Sequence, residues 1–68
     1  MNTVIYGFGI AGKWAVSHFD EVVAFVDTDM KKSGDDFLGI SVEGPSYLDT
    51  LDYSETQVVV SVVDIMDV

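Results

Sequence analysis

The feature that most constrains this chain is a six-residue loop, Gly7-Phe8-Gly9-Ile10-Ala11-Gly12, set between two segments of opposite character. Before it, Thr3-Val4-Ile5-Tyr6 has the β-branched and aromatic make-up of a strand. After it, Ala11, Trp14, Ala15, His18 and Phe19 recur at the spacing of one helix face. Asp20-Glu21 would sit badly against the negative end of a helix, so the helix is predicted to stop near Phe19. Its apolar face, Trp14 and His18 included, is expected to pack on the core. A strand that breaks on glycines straight into a helix leaves each glycine a separate task. Gly7 permits the tight turn, Gly9 lets a group come close to the backbone, and Gly12 lets the helix lie tightly on the strand.

The rest of the chain repeats the alternation. Val22 to Val26 is a continuous apolar run ending in Asp27, as expected of a strand covered on both faces. Thr28 to Asp36 is polar and reads as a loop, and Phe37 to Val42 as one short strand. Gly44-Pro45 opens a second predicted helix, with Pro at its first position and Tyr47, Leu48 and Leu51 as its apolar stripe. Val58 to Val63 is the most strand-like run of all. The order β-α-β-(β)-α-β implies an α/β fold with parallel strands joined by right-handed crossovers. The expected architecture is half of a doubly wound sheet, strand order 3-2-1-4, with a helix on each face, and residues 1–68 as one domain.

Charge and composition then exclude several classes. Three basic against twelve acidic residues leave a net charge of −9, the wrong sign for nucleic acid or an anionic membrane surface. No apolar run reaches the roughly 18 residues of a membrane span, and no basic segment opens a signal peptide, so a cytoplasmic location is expected. There is no cysteine for a disulfide or thiolate metal site, and the single histidine cannot form a multi-histidine site. An apolar fraction of 49% is ample for a core.

The glycine loop gains weight from its context: a strand before it, a helix after it, and an acid at the end of the next strand, twenty residues beyond Gly7 (27 − 7 = 20). Amides around Ile10 to Gly12 would face a phosphate, with the positive end of the helix dipole behind them. Asp27 would accept ribose hydroxyls and repel a 2′-phosphate, favouring NAD-type over NADP-type ligands. The competing explanation is that the glycines serve only helix–strand packing. Lys13 is expected to point to solvent, as is the pair Lys31-Lys32, although the pair could offset ligand charge. Asp35, Asp36, Asp49 and Asp52 read as solvated acids rather than a metal site. Ser17, Ser46 and Ser61 lack the surroundings of an activated nucleophile.

Three blocks, VIYGFGIAGKW, VVAFVDTDMKKSGDDFLGISVEGPSYL and QVVVSV, together resemble the small Rossmann-like domain at the N-terminus of several sugar-modifying enzymes. The likeness is to the N-terminal domain of hexapeptide-repeat sugar acyltransferases. It extends to the accessory domain of FkbM-type methyltransferases and to the cofactor domain of nucleotide-sugar dehydratases. This resemblance implies a nucleotide-sugar or NAD ligand held by Gly7, Phe8, Gly9, Ile10, Ala11, Gly12, Asp27, Thr28 and Lys32. It implies an accessory module of a larger transferase, of the kind used in polysaccharide biosynthesis, without catalysis of its own. An NAD-binding piece of a dehydrogenase or dehydratase is one alternative. An assembly domain that kept the fold without the ligand is another. Because Val58 to Val63 lacks charge, proline or a bulge, two outcomes fit that edge: the sequence is a piece of a longer chain, or two copies meet there, or on the adjoining face, as a homo-oligomer.

Overall fold

The computed structural model describes residues 1–61. Strand β1 (Asn2–Tyr6) leads through the glycine loop into helix α1 (Ile10–Ala15), which tightens into a 3-10 turn over Val16–His18. Strand β2 (Val22–Val26) follows, then β3 (Asp36–Phe37) and β4 (Ile40–Glu43), a 3-10 helix over Pro45–Thr50, and β5 (Thr56–Val60). The five strands form one sheet in the order β3-β4-β2-β1-β5. β1 runs parallel to both β2 and β5, β2 runs parallel to β4, and only the β3–β4 pair is antiparallel. The architecture is therefore α/β with a mostly parallel sheet.

The expected four-strand order 3-2-1-4 needs correction. The segment Phe37 to Val42 is not one strand but a hairpin, Phe37 pairing with Ile40 across Leu38-Gly39. Both turn residues have positive φ, 55° and 78°, as a tight hairpin turn requires. An apolar leucine in the first of these positions hides the turn from a sequence reading. The second predicted α-helix is instead the 3-10 segment, and none of its residues is fully buried. The run Val58 to Val63 is strand only from Thr56 to Val60, and Val62 and Val63 lie outside the described residues.

The core gathers where the glycine loop meets the sheet. Ile5, Phe8, Ala15, Phe25 and Val42 form one buried cluster, with Val16, Val22, Phe37 and Ile40 packed against it. Phe8 meets Phe25 edge-on at 4.9 Å, and Phe37 stands 6.3 Å from Phe8 and 6.2 Å from Phe25. Burying a side chain the size of Phe25 contributes about 3 kcal/mol of hydrophobic stabilisation.

Trp14 and His18 are not in this core. Trp14 is 65% exposed, and its ring lies 4.0 Å from that of His18, itself exposed. The reason is the closeness of α1 to the sheet. The buried residues of α1 are Gly12 and Ala15, and a Cβ built on Gly12 would lie 2.0 Å from the Gly7 carbonyl oxygen. Only small residues fit under a helix that near. Trp14, about 200° around the helix from Gly12, faces away.

Candidate functional site

β1 is an inner strand of the parallel part of the sheet, with β2 on one side and β5 on the other, and the crossovers leave in opposite directions. The β1–α1–β2 connection steps to one side, and the β4-to-β5 connection returns past β1 to the other. In sheets of this kind the crevice beyond the strand ends at such a reversal is where ligands bind. The glycine loop occupies that position.

The three glycines prove to have three different reasons. Gly7 has φ of 113°, a conformation that disfavours any side chain. Gly12 is held by packing, as described above. Gly9 is required by neither: its φ of −137° and ψ of −159° are ordinary extended backbone, and a Cβ built there meets nothing within 4 Å. Its bareness opens space outward, at the start of α1. No side chain caps that start, and the first amides of a helix have no partners within it.

Asp27 ties the loop to the end of β2. Its Oδ2 accepts the Phe8 amide at 2.7 Å and its Oδ1 accepts the Asp29 amide at 2.8 Å. Its own amide donates to the Glu43 carbonyl at 3.0 Å, so its backbone is also tied to the end of β4. Burial acts to raise the Asp27 carboxyl. Amide donors at Asp29, Phe8 and Thr28, with the Lys32 ammonium, outweigh it and hold the group below the usual carboxylate range. Lys32 Nζ donates to the Phe8 carbonyl at 2.8 Å and lies 3.8 Å from Asp27 Oδ2. Ser61 closes the other side, its Oγ donating toward the Tyr6 and Gly7 carbonyls at 3.2 and 3.1 Å.

The structure therefore brings Gly7, Phe8, Gly9, Gly12, Asp27 and Lys32 together. Ile10 stands beside them, 92% exposed, and the amide of Thr28 reaches Asp27. Phe8 is a buried core residue whose backbone, not its ring, belongs to the loop. Lys13, expected in solvent, is exposed yet places its Nζ 4.9 Å from the Phe8 ring centroid and 5.6 Å from that of Phe37. Ser61 was missed as a loop partner. Its signal was its place directly after the last strand, level with the glycine turn. Among the described residues no group of His, Cys, Asp or Glu could hold a metal ion.

No protein-family model matches the chain, and no curated protein does either. Among solved structures, the chain is similar to the crystal structure of UDP-D-quinovosamine 4-dehydrogenase from Vibrio fischeri, with a TM-score of 0.65 and 29% identity over 84% of this chain. The match covers 54% of that structure, so the chain spans about half its length. The α/β fold with a mostly parallel sheet, expected from the resemblance to Rossmann-like domains of sugar-modifying enzymes, is met at this coarse level.

Proposed function

We propose that the chain is a nucleotide-binding domain of a nucleotide-sugar-modifying enzyme, taking NAD or a nucleotide-sugar through its diphosphate at the glycine loop. The observation that carries this reading is a bare Gly9 set in a turn that Asp27, Lys32 and Ser61 hold in place. Packing accounts for Gly12 and backbone conformation for Gly7, but neither accounts for a bare Cα at position 9. A diphosphate approaching the open backbone there would meet the amides that begin α1. Asp27 would border the ribose. A carboxylate has about four acceptor directions, so it can take a hydroxyl while still holding the Phe8 and Asp29 amides. Its charge would repel a 2′-phosphate.

The dehydrogenase likeness supports the NAD-type alternative more than the transferase one, for which the sequence resemblance is the sole support. A second reading, an assembly domain without ligand, draws on the exposed Ile10 and Trp14 beside the loop.

Thermal unfolding with millimolar UDP, UDP-sugars or NAD distinguishes the two. Ligand at about a hundred times its Kd stabilises the fold by about 2.7 kcal/mol. Gly9→Val is expected to remove that shift and leave the fold of the free protein largely intact. Failure of all three ligands to move the wild-type midpoint would favour the assembly reading.

A further inference from the structure

Lys32 is the residue the nucleotide reading leaves least explained. As a direct phosphate ligand it should present its ammonium outward. Instead Nζ is turned onto the protein, donating to the Phe8 carbonyl at 2.8 Å with Asp27 Oδ2 at 3.8 Å. Its side chain is 38% exposed, so packing does not confine it there; the hydrogen bond and the Asp27 charge do.

The consequence follows from peptide geometry. A trans peptide is planar, with its carbonyl and N–H pointing to opposite sides, and no peptide among the described residues is cis. The Gly7–Phe8 peptide is fixed from both sides: its N–H donates to Asp27, and its carbonyl accepts from Ser61 Oγ. In the next peptide, Phe8–Gly9, the carbonyl is held by Lys32, which directs the Gly9 N–H the opposite way. That peptide turns about Phe8 ψ and Gly9 φ, and glycine leaves its φ permissive; the Gly9 carbonyl is tied to the Lys13 amide at 2.9 Å, so the Lys32 bond is the side-chain hold on the N–H side of Gly9. Charge assistance makes the Lys32 hydrogen bond one of the stronger kind.

We infer that Lys32 is a positioning residue: by holding the Phe8 carbonyl it aims the Gly9 amide out of the loop as a preset donor for an anionic ligand. The ligand part of this inference rests on the nucleotide reading, while the orientation of the amide does not. Lys32 thus acts through the backbone, and Lys31, one position earlier with the same charge, does not share the role. The backbone amide of Lys31 is bonded to Asp29 Oδ1.

The test compares Lys32→Met with Lys31→Met, which removes the same charge without the hydrogen bond, and with Lys32→Gln as a second variant that can still donate. In the ligand-free protein, the Phe8 carbonyl carbon and Gly9 amide nitrogen resonances should move in Lys32→Met, move less in Lys32→Gln and stay in place in Lys31→Met. Titration with UDP and with inorganic pyrophosphate should then show about tenfold weaker binding for Lys32→Met, about 1.4 kcal/mol, and partial recovery in Lys32→Gln. Unmoved Phe8 and Gly9 resonances in Lys32→Met would overturn the inference. Equal weakening by Lys31→Met and Lys32→Met would overturn it too, because charge alone would then explain the loss. If wild-type protein binds neither probe, the nucleotide reading fails, and the ligand-free resonances still decide whether Lys32 sets the amide.

Discussion

Two glycines of this chain begin helical segments in nearly the same way, and only one of them carries a functional argument. Gly9 precedes α1 and Gly44 precedes the Pro45–Thr50 3-10 helix. Both are extended, neither start has a side-chain cap, and a Cβ on either would meet nothing within 4 Å. The surroundings separate them. The Gly9 turn is gripped by Asp27 from β2, Lys32 from the following loop and Ser61 beyond β5. The turn at Gly44 is followed by Pro45, which has no amide to offer, and by a segment with no fully buried residue. A bare glycine at a helix start is common geometry. What distinguishes the first corner is that three separate parts of the chain hold its peptides in place.

The strongest way to break this comparison is to add one side chain at each corner. Gly12→Val drives a Cβ into the Gly7 carbonyl. It should cost about 3 kcal/mol or more, read as a lowered denaturant midpoint. Gly44→Ala meets open space at an ordinary φ of −76° and should change stability by no more than about 0.5 kcal/mol. Similar losses at both positions would mean that the helix after the first corner packs no more tightly than the segment after the second.

Asp27 comes next. Asp27→Ala strands the Phe8 and Asp29 amides and should cost about 2 kcal/mol at neutral pH, since hydrogen bonds to charged groups are the costly ones to lose. The folded protein depresses this carboxyl, so its contribution is complete above the unfolded value of about 3.9 and is lost as pH falls through the lower folded value. Urea midpoints between about pH 5 and pH 2 should fall less steeply in Asp27→Asn than in wild type. Parallel curves would remove Asp27 from the role given to it here.

Two smaller effects refine the picture. Leu38 pays for positive φ in the hairpin that brings Phe37 against Phe8. Leu38→Asn supplies the residue such turns prefer and should raise stability by about 0.5–1 kcal/mol. A sharper Phe37 spectrum together with that gain would show that the hairpin supports the loop. Glu21, whose Oε1 accepts from the terminal ammonium at 2.8 Å, lies on exposed surface far from either corner. Glu21→Gln should shift the melting point by no more than about 2 °C, because such pairs are screened by solvent.

The parts legible from the sequence were those dominated by one kind of residue. Val22 to Val26 is a strand because nothing in it fits another role, and Gly7, Gly12 and Asp27 fall where a strand–loop–helix unit needs them. The hairpin was hidden because Leu38 is a poor turn residue by composition. Trp14 and His18 were placed on the wrong side because helical periodicity shows that a face exists without showing how close the sheet will come. Here the approach is set by Gly12, and it admits no large ring. The grip of Lys32 on Phe8 spans 24 positions. Such a contact depends on how the polar loop folds back, which no local pattern records.

The three lysines also give the molecule a pronounced electrical asymmetry. Lys13 lies over Phe8, Lys32 is bonded to Phe8 and Lys31 adjoins Lys32, so all three lysines gather near the loop with Asp27 and Asp29, while the other ten of the twelve acids fall elsewhere in a sequence without arginine. A small anion approaching from a distance is repelled by the net −9. Within about 8 Å at physiological salt, one Debye length, it instead feels the nearby cations. Added salt should then speed both stages, with opposite effects on affinity: arrival quickens as the long-range repulsion is muted, and departure quickens as the local attraction is muted. For such a surface, the speed of capture and the tightness of capture become separately adjustable quantities.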